Sequence, residues 1–223
     1  MGAGRVQGRV LGLIPARAGS QRLPGKNLRP LAGRPMLDWT LDAALGATSL
    51  DRVVVSTDDA GVAALARARG VEVVDRPAEL AGSEASVIDA IVHALDRIGG
   101  DWELIVLLQP TSPLRLASDI DGAVALCRER DAPAVIGVSP LTKPPGFHGR
   151  VVEGVYRADA ETAAALSVIN GAVYVGRPER LRAERTFQSE GTLAWTMPAE
   201  RGWDVDTIEE FAVCDALLGA RQA

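Results

Sequence analysis

Short runs of β-branched and other apolar residues alternate with segments of helical periodicity through the first 140 residues. Five runs have the length and composition of buried strands: RVLGLIP (9–15), DRVVVST (51–57), VEVVD (71–75), ELIVLLQ (103–109) and APAVIGV (132–138). Between them, apolar residues recur at spacings of three and four, which predicts helices over about 36–45, 60–69, 86–98 and 118–130. The alternation predicts an α/β fold with a mainly parallel sheet and crossover helices.

The pattern changes after Val138. Residues 139–168 are rich in Pro and Gly and only weakly periodic, so we predict an excursion from the main sheet with a hairpin around RVVEGVYR (150–157). The strand-like GAVYVG (171–176) then resumes the core, followed by a short helix near 178–182, a strand candidate TLAWTM (192–197) and a closing helix over 207–218. We predict one domain over residues 1–223.

Composition excludes several classes of protein. The 223 residues carry a net charge of -5, which argues against a protein that coats nucleic acid or an anionic membrane. No apolar run approaches the roughly 20 residues of a membrane span, and MGAGRVQGRV lacks the apolar core of a signal peptide, so we expect a cytoplasmic protein. The two cysteines and two histidines are too few and too scattered for a disulfide framework, a metal knuckle or a histidine triad.

The first predicted strand runs into a cationic loop, LIPARAGSQRLPGKN (13–27). Five basic side chains and no acidic one lie between Pro15 and Leu37, namely Arg17, Arg22, Lys26, Arg29 and Arg34. Neither the Walker spacing nor the Gly-x-Gly-x-x-Gly fingerprint fits this loop. Open α/β sheets bind ligands at the carboxyl ends of their strands, so the charge favours a polyphosphate site over a solvated basic loop.

The segment LIPARAGSQRLPGKNLRPLAGRPMLDWTLDAA resembles the opening of the acylneuraminate cytidylyltransferases, which activate sialic acid and related keto sugar acids as CMP esters. Four further stretches match in order: RPAELAGSEAS (76–86), LLQPTSPLR (107–115), INGAVYV (169–175) and DVDTIEEF (204–211). The resemblance implies a Rossmann-like nucleotidyltransferase fold with a mostly parallel mixed sheet and helices on both faces. It also implies CTP as a substrate, Mg²⁺, an acidic acceptor and a homodimer formed through the excursion.

The resemblance also assigns site residues. Arg17 and Lys26 take the catalytic role, because they would neutralise the phosphates of CTP. The complete CTP-binding set is Ala16, Arg17, Gly19, Ser20, Arg22, Lys26, Asn27, Arg76 and Ser83. The family commonly has Lys where this chain has Gln21, and neighbouring Arg22 is the candidate replacement. Ser83 and Ser86 can reach sugar hydroxyls, although either could instead begin the helix that follows.

Two carboxylates near the end of the chain complete the predicted site. Asp204 and Asp206 are two positions apart, so on an extended segment both face one side and can hold Mg²⁺ against the triphosphate. The alternative is that Asp206 caps the last helix and Asp204 is solvated. For the acceptor, the resemblance assigns Gln109 and Asn170, although Asn170-Gly171 is also a typical turn pair.

The acceptor remains open at this stage. AETAAALSVINGA (160–172) lacks the Arg-Gln pair that sialic-acid enzymes carry before the NGA motif, and so lacks its guanidinium. Either another cation anchors the acidic group, with Lys143, Arg150 and Arg157 as candidates, or the acceptor is a smaller acid such as a phosphonate. A third possibility is a non-catalytic relative that binds CTP.

Overall fold

The computed structural model describes residues 8–19, 22–82, 85–141, 143, 147–158 and 166–222. The strands are β1 (Val10–Pro15), β2 (Pro30–Leu31), β3 (Arg34–Pro35), β4 (Arg52–Thr57), β5 (Glu72–Asp75), β6 (Leu104–Leu107), β7 (Ala134–Pro140), β8 (Gly149–Val152), β9 (Val155–Ala158), β10 (Ser167–Gly176) and β11 (Leu193–Thr196). The helices are α1 (Met36–Gly46), α2 (Ala60–Ala68), α3 (Val87–Ile98), α4 (Ala117–Glu129), α5 (Pro178–Glu184) and α6 (Ile208–Gln222).

Within the described ranges, seven strands form the main sheet in the order β11-β7-β10-β6-β1-β4-β5. β1 pairs in parallel with β4 and β6, β4 pairs in parallel with β5, and β11 pairs in parallel with β7. Only β10 runs antiparallel to its neighbours β6 and β7. The predicted mostly parallel mixed sheet is confirmed.

Two details of the strands differ from prediction. β10 begins at Ser167, before the predicted GAVYVG, and its register with β7 shifts between Ile169 and Tyr174. The short pair β2–β3 was not predicted, because strands of two residues carry no periodicity. It turns through Ala32 and Gly33, whose φ angles of 47° and 84° are those of a tight hairpin turn.

Helices cover both faces of the sheet, as predicted. On one face α1, α2 and α4 pack against β1, β4 and β6 through a buried cluster that includes Leu41, Val62 and Ile120. On the other face a second cluster joins α3 and α5 to the same strands through Ile88, Ile91 and Leu181. Burial of apolar surface on both sides explains why the central strands read as continuous apolar runs.

A third apolar cluster determines where the end of the chain lies. Leu23 and Leu31, which follow β1, are buried with Val205, Phe211 and Leu218 of the C-terminal segment and α6. This packing brings residues about 180 positions apart in the sequence to the same edge of the sheet. The cationic loop and the carboxylate pair therefore meet.

The predicted hairpin in the excursion is present. β8 and β9 form a separate two-stranded sheet with a turn at Glu153 and Gly154, both of positive φ. The hairpin residues from Gly149 to Arg157 are all exposed. Among the described helices, none combines the length and the apolar character needed to cross a membrane.

Candidate active site

A polar cleft of about 540 Å³ opens at the carboxyl ends of β1, β4, β5 and β6. Four cations line it among the described residues: Arg17, Arg22, Lys26 and Arg76. The carboxylates of Asp204 and Asp206 lie on the same cleft, together with the neutral Gln109 and Thr111. The cleft thus unites the loop after β1 with the C-terminal carboxylate pair.

Lys26 is positioned by the glycine that precedes it. Gly25 has a φ of 66°, in the left-handed region that glycine favours, and Lys26–Leu28 then forms a 3-10 turn. The turn directs the Lys26 ammonium to Asp206 Oδ1 and to the carbonyl oxygen of Val205, both at 2.8 Å. The side chain is only 11% exposed, so its charge is held in place.

Arg17 and Arg76 are held by contacts separate from those of Lys26. Arg17 Nη1 donates to the carbonyl of Gly82 at 2.6 Å. Arg76 follows β5 directly, and its guanidinium donates to the Ser56 carbonyl at 2.8 Å and the Ser56 hydroxyl at 3.2 Å. Burial lowers the pKa of Arg76, as does the nearby charge of Arg17. The close pair of guanidinium groups makes this side of the cleft suited to an anion.

Asp206 accepts from two cations at once. Arg22 Nη1 lies 2.8 Å from Asp206 Oδ2, opposite the contact that Lys26 makes with Oδ1. The Lys26 ammonium holds the pKa of Asp206 below its ordinary value. Arg22 thus reaches the same carboxylate as Lys26, a position consistent with the replacement predicted for Gln21, which itself lies outside the described residues.

Asp204 has a different environment. Burial raises the pKa of its carboxyl, a hydrogen bond with Thr111 opposes the rise, and the charge of Asp206 adds to it. Its Oδ1 is buried, and no hydrogen-bond partner for it occurs in the described part of the chain. The backbone N–H of Val205 donates to the carbonyl of Thr111 at 2.7 Å, so the acid pair is fastened to the loop after β6.

The two carboxylates fit a divalent cation that takes its other ligands from a substrate and from water. An orphaned carboxylate oxygen at Asp204 is a hard donor of the kind Mg²⁺ prefers. Among the described residues no group of three or more His, Cys, Asp or Glu side chains could hold a metal ion. The remaining ligands would therefore come from phosphate oxygens and water.

Gln109 and Asn170 occupy different positions. Gln109 lines the cleft just after β6, and its Oε1 lies against Gly171. Asn170 is 2% exposed, and its amide donates to Ser139 Oγ at 3.0 Å and Met197 Sδ at 3.3 Å. Its Oδ1 accepts from the Ala172 N–H at 3.1 Å, which closes the irregular part of β10. In this structure its side chain is buried and hydrogen-bonded to Ser139 and Met197.

The other predicted site residues differ in whether they line the cleft. Asn27 lines the cleft, with its amide donating to the carbonyl of Arg17 at 3.2 Å. The Ala16 N–H already donates to the Ser56 carbonyl at 3.0 Å, so the sheet occupies it, whereas Gly19 is exposed and its α-carbon is uncrowded. Ser20 and Ser83 lie outside the described residues. Ser86 lines the cleft and also caps α3 through Ile88 N–H.

Several charged residues from the sequence analysis point away from the cleft. The Arg29 guanidinium stacks on Phe211, and that of Arg34 stacks on Trp39 and pairs with Asp42. Lys143, Arg150 and Arg157, the candidate acceptor anchors, are exposed and do not line the cleft. Sequence reasoning had also missed Asp58, whose Oδ1 accepts from the Ala18 N–H at 2.9 Å, and Thr111, which holds Asp204.

Comparison with known proteins gives a consistent result. A family model described as cytidylyltransferase matches residues 11–165. The chain is 32% identical to CMP-N,N'-diacetyllegionaminic acid synthase of Legionella pneumophila, over 96% of this chain and 98% of that protein. It is 34% identical to N-acylneuraminate cytidylyltransferase of Streptococcus agalactiae, over 89% of this chain, and spans about half (51%) of that longer protein.

A solved structure shows the same fold. CMP:2-keto-3-deoxy-manno-octonic acid synthetase, complexed with CTP, superposes with a TM-score of 0.75 over 96% of this chain and 100% of that one, at 20% identity. That likeness confirms the nucleotidyltransferase fold predicted from the sequence. The family model and the relatives at over 30% identity show that the chain shares the family as well as the fold. The chain belongs to the cytidylyltransferase family.

Proposed function

We propose that this enzyme transfers CMP from CTP to an acidic acceptor of the nonulosonic, sialic-acid-like type and releases pyrophosphate. One observation carries the proposal: Arg17, Lys26 and Arg76 line a cleft of about 540 Å³ that the Asp204–Asp206 pair also lines. A triphosphate is the common ligand that needs several cations beside paired carboxylates. The named relatives that match nearly the whole chain act on acids of this type.

The reaction follows from the charges. An acceptor hydroxyl attacks the α-phosphorus of CTP, the new phosphorus–oxygen bond forms, and the bond to the bridging oxygen breaks as pyrophosphate departs. The hydroxyl proton passes to solvent or to a carboxylate of the site. Catalysis of such a step consists mainly of alignment and of neutralising the departing negative charge. Lys26 and Arg17 are the side chains placed for that role, with Arg22 beside them.

We propose Mg²⁺ as the cofactor, held by Asp204 and Asp206. When bound, the ion supplies positive charge at the phosphate oxygens and helps to fix their orientation. In the structure Lys26 and Arg22 both pair with Asp206. A triphosphate would draw both cations toward its own oxygens, and this would free the carboxylate for the metal ion.

The acceptor end of the cleft supports a second candidate substrate. The segment before Asn170 lacks the Arg-Gln pair of the sialic-acid enzymes. The candidate replacements Lys143, Arg150 and Arg157 do not line the cleft. A smaller acid, such as a phosphonate, needs less pocket and uses the same CTP half. Gln109 is the proposed acceptor contact in either case.

Pyrophosphate release tests the function. The protein is incubated with Mg²⁺, each of the four nucleoside triphosphates, and a panel of nonulosonic acids, octulosonate and phosphonates. We expect release only with CTP and only with an acceptor, fastest with a nonulosonic acid. Faster release with a phosphonate than with any sugar acid would show that the proposed acceptor class is wrong. CTP binding without turnover on any acceptor would indicate a non-catalytic relative.

We further propose a homodimer, working in the cytoplasm where CTP is available. The hairpin presents exposed apolar side chains, including Val151 at 71% and Tyr156 at 56%, and Phe147 just before it is 73% exposed. A second copy is the occupant that the family resemblance implies. Light scattering on the purified protein should give twice the chain mass, and Val151→Glu should give monomers. A monomeric wild-type protein would contradict the proposal.

Gly171→Ala is expected to damage the acceptor half of the site. Gly171 has a φ of 73°, and an added Cβ would lie 2.7 Å from Gln109 Oε1, so Gln109 must move. We expect the KM for the acceptor to rise roughly tenfold, because misplaced positioning groups cost at least that much, while the KM for CTP changes little. Gly70→Ala is the matched control, since Gly70 has a φ of 72° and nothing within 4 Å. An equal effect of both substitutions would contradict the assignment of Gln109.

A further inference from the structure

The segment after β4 lies between the cationic loop that follows β1 and Arg76, which follows β5. In the sheet, β4 pairs with β1, which leads into the loop, and with β5, which leads into Arg76. Ser56 and Thr57 at the end of β4 bind both: the Ser56 carbonyl accepts from the Ala16 N–H and from Arg76 Nη2, and the Thr57 carbonyl accepts from the Arg76 N–H. The next residue, Asp58, is exposed, yet it has a specific partner.

We propose that Asp58 is a positioning residue for the triphosphate: its carboxylate fixes the loop backbone at Ala18 and counterbalances the Arg17–Arg76 pair before the nucleotide binds. The inference rests on the proposed function and deepens it. The contact joins residues 40 positions apart, with Asp58 Oδ1 2.9 Å from the Ala18 nitrogen. Ala18 stands between Arg17 and Gly19, so the hydrogen bond fixes the centre of the loop.

The surroundings hold Asp58 itself in place. Thr57 is 2% exposed and its hydroxyl donates to the Ala16 carbonyl, which fixes the backbone that leads into Asp58. The carboxylate of Asp59 is directed to α2 instead, where it accepts from the N–H groups of Gly61 and Val62. The hydrogen bond that the Ala18 N–H donates to the Asp58 carboxylate is charge-assisted, and such a bond is stronger than a neutral one.

The charge of Asp58 also has a specific effect. Arg76 is 8% exposed and close to the charge of Arg17; burial and that charge lower the pKa of Arg76, whereas the charge of Asp58 raises it. Asp58 does not line the cleft among the described residues. A carboxylate beside a triphosphate with no metal ion between them would repel it, so a position outside the cleft lining suits a residue that organises cations without contacting the anion.

Two substitutions separate the hydrogen bond from the charge. Asp58→Asn retains an oxygen that accepts from the Ala18 N–H, and Asp58→Ala removes both. By calorimetry with Mg²⁺ and no acceptor, we expect the Kd for CTP to rise about tenfold in Asp58→Ala, as for loss of one hydrogen bond to a charged group. For Asp58→Asn we expect a rise of about threefold. In steady state the KM for CTP should follow the Kd, with kcat changing less than about threefold.

Asp59→Ala is the matched control, because it removes the adjacent carboxylate and the cap of α2. It should lower the thermal midpoint without changing the Kd for CTP. A Kd within twofold of wild type in Asp58→Ala, or an equal loss in Asp59→Ala, would overturn the positioning role while leaving the proposed function intact. Failure of the wild-type protein to bind CTP would overturn both.

Discussion

Replacing Asp206 by alanine is expected to lower kcat/KM by on the order of a thousandfold, because the variant loses one of the two carboxylates that we propose as ligands of the metal ion. The fold should be almost unaffected. The side chains of Asp206 and Arg22 are 40% and 70% exposed, and Lys26 keeps its hydrogen bond to the carbonyl of Val205, so the lost ion pairs contribute no more than about 1 kcal/mol each.

The measurement combines turnover, metal affinity and thermal unfolding. Mn²⁺ binding to the CTP complex, followed by electron paramagnetic resonance, should weaken in Asp206→Ala while the thermal midpoint stays within a few degrees of wild type. Glu209→Gln is a suitable control, because Glu209 is an exposed acid three residues further along. Near-normal turnover and Mn²⁺ affinity in Asp206→Ala would exclude the metal assignment.

Replacing Lys26 by methionine should lower kcat by about a hundredfold or more, the cost typical of removing one preorganised group that stabilises developing charge. The ammonium lines the cleft and is 11% exposed, and its contacts with Asp206 and the carbonyl of Val205 keep it at the cleft, where a triphosphate can draw it to its own oxygens. Methionine keeps much of the length of the side chain and removes the charge together with its N–H donors. Single-turnover kinetics with saturating CTP would isolate the chemical step from binding.

Arg29→Met is the matched control for Lys26→Met. Arg29 follows the same 3-10 turn, but its guanidinium stacks on Phe211 outside the cleft. We expect a small loss of stability and unchanged turnover. If both variants lost activity equally, the effect of Lys26→Met would have to be attributed to the loop as a whole and not to the Lys26 charge.

Much of the fold follows from local pattern. The apolar runs that became β1, β4, β6 and β7 were long enough to identify because both faces of the sheet are buried there. The sequence pattern did not identify the pair β2–β3 or the early start of β10. Two-residue strands have no period, and the segment from Ser167 to Asn170 is defined by pairing with β7, which is a long-range contact.

The candidate site was predictable in part. Lys26, Arg17 and Asp206 could be proposed from charge, glycine placement and a resemblance to a family, and the structure does bring them to one cleft. Arg34 carries the same charge in the same segment but pairs with Asp42 on the far side of the loop. Residue type and spacing do not specify the direction of a side chain, which depends on neighbours distant in sequence.

The sequence by itself determined the order of strands and helices, the cationic loop after β1 and the spacing of Asp204 and Asp206, because each depends on neighbouring residues. Only the tertiary structure decided that Asp206 meets Lys26 and Arg22, that Asn170 turns into the core, and that Asp58 supports Ala18. Those contacts depend on the sheet order β6-β1-β4-β5 and on the packing of α6 against Leu23, and both arise from burial of apolar surface shared by distant segments.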